Sequence, residues 1–523
     1  MKRITYLILI FSMMLSVSCT GWFDNIPPYE ATEDMLDGDN VVIGAFFPQL
    51  QRNVISTHNN QFQLSQNLVG DLYSGYMATP TNFGQETYNL VRTDWLNNPF
   101  EKVFAQEMSA WMEVNRRTGG NVESDVFQLA QIIRIASMSR FTDNWGPIPY
   151  SQVGSGSIRT AYDSQADVYD QFFKELDKAI EVLYTFTIQN PGAKPLAEYD
   201  LVYGGDYSKW VKFANSMRLR LAMRIAYVDP VRAQAEAEKA IADPAGLILE
   251  NADNASVKSL GANDVINQLY TMWSNYQDTR MGASMWSVLT GYDDPRLEKM
   301  WQKGEVNGVE GYHALRIGVQ FSGAKDLRLG YSSPNVMSDD PIVWMNAAEV
   351  AFLKAEGALR GWNMGTDAKS AYETGVKLSF EQWGASGVDA YLADAEKVPA
   401  DYKDPLVSSN NTAAVSTINI AWNDSDKDKS LERIITQKWI ALFPNGHEAW
   451  TEYRRTGYPY LFKVLVNNSS NTIDSDIQIR RMPYPPSEKT VNEENLKKAI
   501  ELLGGPDNGG TRLWWDVADK SIK

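Results

Sequence analysis

The strongest constraint on the fold is a set of apolar residues that recur every three or four positions, in stretches separated by short turns. Residues 164–186 carry one such set: Val168, Phe172, Leu176, Ala179 and Leu183. Residues 208–230 repeat it with Trp210, Phe213, Ala214, Met217, Leu221 and Ile225. This spacing predicts amphipathic helices, each with one buried face. Ser164 and Asp167 predict a capped start for the first helix, although Asp stands where Glu or Gln is usual.

The same unit of helix, turn and helix recurs towards the C-terminus. Residues 346–384 contain two helical patterns around a turn at 361–366, and small residues there allow close helix approach: Ala348, Ala355, Gly357 and Ala358. Residues 428–457 form a further pair, divided at Pro444, Asn445 and Gly446. Pro230 likewise ends one helix before a short alanine-rich helix at 231–244. Such pairs resemble tetratricopeptide units at irregular spacing.

Long insertions separate these pairs. One of them, residues 312–321, alternates apolar and polar positions and so predicts a strand, with Leu315, Ile317, Val319 and Phe321 on one face. We therefore predict a mainly all-α fold of tetratricopeptide-like helix pairs, with long irregular insertions and minor β-hairpin content.

The N-terminus has the features of an export signal that ends at the only cysteine. Lys2 and Arg3 precede the apolar run 4–17, which is too short to span a bilayer comfortably. A small residue before Cys19 is typical of bacterial lipoproteins, although Ser16 stands where Leu is commonest. The alternative is an ordinary secretory signal with an incidental cysteine.

We predict a signal peptide over residues 1–18, lipidation of Cys19, a tether over 19–40 and a single domain over 41–523. Acyl chains on Cys19 would then be the only attachment to a membrane. No other apolar stretch in the sequence is long enough to span one.

Charge and composition exclude several functions. The net charge is −16 and the pI is about 4.8, which disfavours nucleic acid as a partner and an electrostatic hold on anionic lipid. A single cysteine permits no internal disulfide and no cysteine-based zinc site. With only three histidines, a cofactor that needs several His and Cys ligands is disfavoured as well.

No catalytic motif stands out. The sequence lacks G-x-S-x-G, Walker, G-x-G-x-x-G and H-E-x-x-H patterns, and His447 with Glu448 is interpreted as a helix start. Oxygen ligands alternate at Asp424, Asp426 and Asp428 as in a calcium loop, but the turn glycine and the closing glutamate are missing. We therefore expect an acidic loop that caps the next helix and no cofactor, with a structural calcium ion as the alternative.

Aromatic residues are abundant in stretches without helical periodicity. Residues 67–99 contain Tyr73, Tyr76, Phe83, Tyr88 and Trp95, and residues 267–286 contain Tyr270, Trp273, Tyr276 and Trp286 beside polar residues. Flat rings stack on the C–H faces of sugars while polar neighbours bond the hydroxyls. The alternative is that each ring only pins its loop to the body. The predicted ligand-binding residues are Asp71, Tyr73, Tyr76, Trp95, Trp273, Tyr276, Arg280 and Tyr331.

Four stretches together resemble the SusD/RagB family of Bacteroidetes outer-membrane lipoproteins, in particular its second, SusD-like branch. They are "SVSC" at the N-terminus, "TDNWGPIPYSQ" at 142–152, "AEVAFLKAEGALRGW" at 348–362, and residues 432–459 followed by "RRMPYPPSE". The resemblance implies a right-handed superhelical scaffold of tetratricopeptide-like pairs. It also implies a lipid-anchored protein at the cell surface that acts as the lid of a TonB-dependent SusC-like transporter.

The resemblance implies capture of oligosaccharides, or in some members peptides, without catalysis. Its motifs belong to the scaffold, so the predicted ligand residues rest on the aromatic pattern alone. Only Asp24 follows Cys19 closely, so surface exposure is implied by the family and not by an acidic cluster. Two alternatives stay open: a surface-anchored glycoside hydrolase that uses two carboxylates, and a scaffold that binds only protein.

Overall fold

The computed structural model describes residues 41–90, 93–157, 159–319 and 325–522. The predicted signal peptide, Cys19 and the predicted tether lie outside these residues. Within the described ranges, none of the helices combines the length and the apolar character needed to cross a bilayer.

The fold is mainly helical, as predicted. The helices of the first half are α1 Val41–Gly44, α2 Phe47–Val54, α3 Asn59–Phe62, α4 Thr93–Lys102, α5 Ser109–Arg117, α6 Asp125–Trp145, α7 Gln165–Gln189, α8 Tyr207–Arg224 and α9 Pro230–Ala242. Those of the second half are α10 Gln268–Tyr270, α11 Ala283–Gly291, α12 Leu297–Met300, α13 Ala347–Leu359, α14 Ala368–Gln382, α15 Val388–Leu392, α16 Lys427–Leu442, α17 Gly446–Thr456, α18 Pro486–Val491 and α19 Glu493–Leu503.

Shorter elements fill the insertions. Three segments are π-helical: Gln63–Asp71, Val103–Met108 and Thr271–Asn275. Four are 3-10 turns: Gln85–Thr87, Asn251–Asp253, Lys325–Arg328 and Ser408–Asn410. The strands are β1 Met77–Ala78, β2 Ala255–Val257, β3 Arg280–Met281, β4 Gly304–Val306, β5 Val309–Gly311 and β6 Ile342–Met345. They form three antiparallel pairs, β1 with β3, β2 with β6, and the hairpin of β4 with β5.

The predicted helical faces are the buried faces. Every apolar residue of the sets predicted in α7 and around α8 is at most 1% exposed. Ser164 caps α7 by accepting the amide hydrogen of Asp167 at 3.1 Å, and it also donates to the Asp167 carboxylate at 2.6 Å. The apolar stripes therefore form the inner faces of the pairs α6–α7, α7–α8 and α8–α9.

The helix pairs of the second half also form where the turns predict them. The pair α13–α14 is tight, because a Cβ added at Gly375 would lie 2.7 Å from the ring of Phe352. Asn445 separates α16 from α17 and caps α17 by accepting the amide hydrogen of Glu448. One hydrophobic core runs through these layers, with buried residues from Phe47 to Trp515.

A buried ion network crosses the centre of this scaffold. Its members are almost completely removed from solvent: Asp143, Arg220, Arg224, Glu349, Glu356, Lys438, Glu448, Glu452 and Arg455. Arg224 on α8 reaches two carboxylates of α17, Glu448 at 2.6 Å and Glu452 at 2.8 Å. Because ionic groups are costly to bury unpaired, the network fixes how these helices stack.

Two glycines allow the first π-helical segment to touch the start of α17. A Cβ added at Gly446 would lie 2.4 Å from Cα of Asp71, and one added at Gly70 would lie 2.5 Å from the backbone of His447. Side chains at either position would force the two backbones apart. The crossing therefore ties the N-terminal irregular region to the C-terminal helix pair.

The prediction of a strand over 312–321 is wrong for residues 312–319, and the predicted Phe321 lies outside the described residues. Leu315, Ile317 and Val319 are buried, but in residues 312–319 the strand-like pairing is limited to an isolated bridge between Leu315 and Gly282. Gly318 takes a φ of +66°, which interrupts an extended course. Ala314 and Arg316 are buried as well, so the alternating sequence corresponds neither to alternating burial nor to a ladder of paired strands.

The acidic loop before α16 caps that helix. The carboxylate of Asp426 accepts the amide hydrogens of Asp428 at 2.9 Å and Lys429 at 3.2 Å. In the part of the chain that the structure describes, no three His, Cys, Asp or Glu side chains are grouped so as to hold a metal ion.

Candidate functional site

Three irregular segments converge on one face of the scaffold: residues 72–90, 271–281 and 325–337. The β1–β3 pair joins the first two, with Met77 opposite Met281 and Ala78 opposite Arg280. The third is joined by the amide of Met281, which donates to the carbonyl of Ser332 at 2.8 Å. This convergence places loop residues that are far apart in sequence on a common surface.

Asp278 is the polar centre of this surface. Its carboxylate accepts the Thr81 hydroxyl at 2.5 Å, the Lys325 ammonium at 2.6 Å and the Gln63 amide at 3.3 Å. Lys325 also donates to the carbonyl of Tyr276 at 3.0 Å. A single carboxylate therefore holds three segments together, and its hydrogen-bonding capacity is largely committed to that task.

The backbone before Asp278 makes a tight reversal. The π-helical segment Thr271–Asn275 ends with the amide of Tyr276 bonded to the carbonyl of Thr271 at 2.9 Å. Gln277 follows at a φ of +55°, and the amide of Asp278 then returns to the carbonyl of Met272 at 2.9 Å. The reversal presents Trp273 and Tyr276 on a short, fixed loop.

Two predicted aromatic residues of this loop keep solvent-exposed surface. Trp273 is half-buried, donates its indole N–H to the carbonyl of Val336 at 2.8 Å and packs edge-on to Tyr270 at 5.5 Å. Tyr276 is 37% exposed, and its hydroxyl accepts the Asn59 amide at 2.9 Å. Because hydrogen bonds fix both rings, they keep one orientation without a ligand.

A second aromatic pair connects residues 72–90 to helix α4. Phe83 and the predicted Trp95 are half-buried, and their rings meet at 5.5 Å with an interplanar angle of 61°. Phe83 follows Thr81, whose hydroxyl reaches Asp278. We refer to Phe83, Trp95, Trp273 and Tyr276 as the aromatic platform.

Three predicted ligand residues lie in the core instead. Asp71 and Tyr76 are fully buried and Tyr73 is 1% exposed. The rings of Tyr73 and Tyr76 pack on Trp450 and Trp439 at 5.5 and 4.9 Å. Since no ring face is open to solvent, these tyrosines attach residues 72–76 to α16 and α17, and the platform does not include them.

Asp71 lies at the crossing with α17. It accepts the side-chain amide of Gln66 at 2.6 Å. Burial raises the pKa of Asp71 to about 7, against the lowering effect of its hydrogen bonds. Asp71 is fully buried and therefore has no surface on which a ligand could rest.

The remaining two predicted residues, Arg280 and Tyr331, are buried as well. Arg280 is 4% exposed and donates to the carbonyls of Thr279, Leu329 and Trp273 at 2.7, 3.2 and 3.4 Å. Burial lowers the pKa of Arg280 to about 10, although the Asp278 charge opposes it. Tyr331 is 2% exposed and donates to Asp404 at 2.8 Å. Arg280 therefore positions the platform loop.

Sequence reasoning missed the polar residues that complete the surface. Asn59, Gln63, Thr81 and Lys325 contribute side chains to the surface, and three of them act across 197 to 217 residues. No local pattern marks such residues, because their role depends on the convergence of distant loops. The convergence of these loops thus brings aromatic rings suited to a sugar face close to polar groups suited to its hydroxyls.

The chain is similar to one protein family and to several solved structures. The profile described as SusD-like, Susd and RagB outer membrane lipoprotein, matches residues 24–516. No curated protein matches the chain. A chitin-binding SusD homolog from Flavobacterium johnsoniae is 41% identical over 91% of this chain and 99% of its own, with a TM-score of 0.87.

Two further solved structures are also similar to this chain. A SusD homolog from Bacteroides thetaiotaomicron is 40% identical with a TM-score of 0.84, and one from Bacteroides uniformis is 42% identical with a TM-score of 0.83. Each alignment covers 91% of this chain and 99% of the other.

Proposed function

The chain belongs to the SusD-like family of outer membrane lipoproteins, and from that premise we propose that it captures oligosaccharides and delivers them to an outer-membrane transporter. The protein is anchored by acyl chains on Cys19 and faces the cell exterior. Its partner is a TonB-dependent, SusC-like β-barrel, over which the helical body closes as a lid. Catalysis plays no part in this role.

The observation that carries the proposal is the pair of partly exposed aromatic side chains, Trp273 and Tyr276, each held by a hydrogen bond. Aromatic faces bind the C–H faces of sugars, and the adjacent polar side chains bond hydroxyl groups. The chitin-binding relative at 41% identity supports the same ligand class. An open surface buries little of a single sugar, so we expect roughly micromolar to millimolar affinity that strengthens with chain length.

The commitment of Asp278 favours binding over hydrolysis. A glycoside hydrolase needs one carboxylic acid to protonate the leaving group and a second carboxylate to act as nucleophile or base. At the platform, Asp278 already accepts three hydrogen bonds that hold its loops. We therefore assign the Asp278 carboxylate to holding the loops in place and not to acid–base chemistry.

Calorimetry with neutral oligosaccharides, beginning with chitin oligomers of two to six units, tests the function. Trp273→Ala should weaken binding roughly 5- to 150-fold, since loss of an aromatic anchor typically costs about 1 to 3 kcal/mol. Trp362→Ala is the matched control, because Trp362 is a half-buried tryptophan in the α13–α14 turn. Equal loss in both variants would contradict the platform as the site.

The same incubation separates capture from hydrolysis. New reducing ends released by the wild-type protein, and lost in Asp278→Asn, would identify a glycoside hydrolase and overturn the proposal. Retention of intact oligosaccharide supports capture. Retention of peptides alone would identify a peptide-binding member of the family.

Anchoring and partnership are tested in outer membranes of the producing cell. Mass spectrometry should find a mature N-terminus at Cys19 that carries acyl chains. Affinity purification of the native lipoprotein should bring down a large β-barrel with a TonB box. Cys19→Ala should release the protein from the membrane fraction, and retention of that variant would contradict the anchor.

A further inference from the structure

Glu86 is a buried carboxylic acid close to the aromatic platform, and it has no hydrogen-bond partner. The residue is 1% exposed, and neither carboxyl oxygen makes a hydrogen bond with the residues that the structure describes. Two further oxygens nearby, Oε1 of Gln85 and the hydroxyl of Tyr88, are buried without a partner as well. Buried polar groups are almost always hydrogen-bonded, and the exceptions concentrate where a structure stores strain or changes state.

The backbone of residues 84–88, which we call the Glu86 turn, is strained at its end. Gly84 begins the turn at a φ of +95°, and Tyr88 ends it at a φ of +59°, a left-handed conformation that is uncommon for a residue with a side chain. The amide of Asn468 donates to the carbonyl of Thr87 at 2.7 Å and holds the turn against the body. Such a turn keeps its shape only while its surroundings hold it.

The Glu86 turn follows directly on the residues that build the platform. Phe83, which packs on Trp95, lies three positions before Glu86, and Thr81, whose hydroxyl binds Asp278, lies five positions before it. The amide of Phe83 also donates to the carbonyl of Thr81 at 3.0 Å. Movement of the turn would therefore disturb both an aromatic ring of the platform and its polar anchor.

No positive charge of the described residues offsets the burial of Glu86. Burial raises the pKa of Glu86 to about 7, against a lowering effect of the backbone of its own turn. The titratable group that faces it from residues 72–76 is Tyr73, and Tyr88 of its own turn faces Tyr453 and Arg480. Burial raises the pKa of Tyr73 and Tyr88 as well, so both phenols are neutral. Glu86 is therefore the group of this turn that titrates near neutral pH.

We propose that residues 79–89 form a pH-sensitive switch, in which the neutral Glu86 side chain keeps Thr81 and Phe83 at the platform and the ionised side chain releases them. A carboxylate without a partner is costly to keep in the core. Movement of the Glu86 turn brings the carboxylate to water and relieves the left-handed conformation of Tyr88. The effect on glycan affinity rests on the proposed function, whereas the movement of the turn does not.

The direction of the switch follows from the pKa of Glu86 in its two states. The pKa is about 7 in the assembled turn and returns towards its ordinary value of 4.5 when the side chain reaches water. As pH rises from 5 to 7, the released form loses its proton first, so release becomes more favourable, by at most about tenfold per pH unit. Above pH 7 both forms are ionised, and the effect levels off.

Hydrogen exchange of the full mature protein, followed by mass spectrometry at pH 5 and pH 7, tests the switch without a ligand. After correction for the intrinsic exchange rate at each pH, the amides of residues 79–90 should lose protection about tenfold or more at the higher pH. Glu86→Gln and Glu86→Met are neutral at both pH values and should abolish this loss. Equal protection of the wild type at both pH values, or the same loss in the neutral variants, would overturn the switch.

Glu107→Gln is the matched control for this experiment. Glu107 is also buried, and burial raises its pKa to about 8, but its carboxylate accepts the hydroxyl of Ser137 on α6, in a different part of the scaffold. This variant should keep the pH-dependent loss of protection in residues 79–90. If it removes the loss as Glu86→Gln does, the effect belongs to the whole protein and the switch is wrong.

Calorimetry with a chitin oligomer at the same two pH values connects the switch to capture. The affinity of the wild type should fall from pH 5 to pH 7, by at most the factor by which protection falls, and Glu86→Gln should bind equally at both. A turn that moves with pH while affinity stays constant would refute control of the platform by Glu86. If no oligosaccharide binds at either pH, the proposed function is wrong, and hydrogen exchange alone decides the switch.

Discussion

Arg455 binds Glu356 through two parallel hydrogen bonds, of 2.7 and 2.5 Å, while both side chains are at most 1% exposed. The contact joins α17 to α13 and is part of the buried ion network. Burial alone would raise the pKa of Glu356, but the guanidinium groups of Arg455 and Arg360 outweigh it and lower the pKa. The carboxylate is thus kept charged inside the scaffold.

Removing one partner of this pair should be costly. Glu356→Ala leaves Arg455 buried with a single remaining carboxylate, and we expect a loss of about 3 to 5 kcal/mol in the free energy of unfolding. Urea unfolding followed by circular dichroism measures it. Glu493→Ala, which breaks the exposed pair of Glu493 with Lys497 at 2.9 Å, should cost less than about 1 kcal/mol. Similar costs for the two variants would contradict the structural role of the network.

The buried carboxyl of Asp71 should make stability depend on pH in the opposite sense to a salt bridge. Burial raises the pKa of Asp71 from 3.8 to about 7. As pH rises through this window, the unfolded chain loses its proton first, so folding stability falls. Asp71→Asn should remove up to about 1.4 kcal/mol of that fall per pH unit between pH 4 and pH 7.

Glu107 provides an internal comparison for this prediction. Burial raises its pKa to about 8, so Glu107→Gln should flatten the profile over a window that extends to pH 8. Urea unfolding at several pH values measures both variants against the wild type. A profile for Asp71→Asn parallel to that of the wild type would show that Asp71 is ionised in the folded protein.

The crossing of α17 with the first π-helical segment should not tolerate a side chain. Gly446→Ala would place Cβ 2.4 Å from Cα of Asp71, and backbone cannot move aside as a flexible side chain can. We expect a loss of about 2 kcal/mol or more, typical of overpacked sites. Gly311→Ala is the matched control, because its nearest neighbour is an ordinary 3.5 Å contact with His313. Thermal unfolding of both variants measures the two losses, and equal losses would contradict the tight crossing.

Arg280 should control glycan affinity without touching the ligand. Arg280→Ala leaves the carbonyls of Trp273, Thr279 and Leu329 without their donor, and the platform loop loses its fixed shape. We expect calorimetry to give about tenfold weaker oligosaccharide binding, because ordering a mobile loop costs free energy on association.

The control for Arg280 is Arg316→Ala. Arg316 is 7% exposed and donates to two main-chain carbonyls, those of Asn410 and Lys463, each at 3.1 Å. Its loss should lower stability to a similar degree while leaving glycan affinity intact. Equal weakening of binding by both variants would assign the effect of Arg280 to general destabilisation.

Much of the scaffold could be predicted because helix periodicity is a local property. The stripe from Val168 to Leu183 and the division at Asn445 depend on neighbours a few positions away. The strand prediction over 312–321 failed because an alternating sequence does not ensure alternating burial or a partner strand, and Ala314 and Arg316 are buried beside the predicted face. The prediction of one domain over residues 41–523 stays a prediction.

The candidate site could be predicted only in part. Trp273, Tyr276 and Trp95 keep solvent-exposed surface, whereas Tyr73 and Tyr76 are buried, and the role of the exposed residues in binding stays a prediction. Their burial follows from the close approach of Gly70 to α17, a contact across more than 370 residues that no local pattern reveals. Sequence composition identified an aromatic-rich region, but burial within it is decided by tertiary packing.

The hydrogen bonds from Thr81 and Gln63 to Asp278 span 197 and 215 residues of chain. Lys325 donates to the same carboxylate, so a chain that emerges from its N-terminus cannot complete this surface until residue 325 is present. A portion of the chain that ends before Asp278 contains Phe83 and Trp95 but lacks the carboxylate that anchors the converging segments. The glycan capture that we propose is consequently a property of the completely assembled chain, and no N-terminal portion of it can bind in the same way.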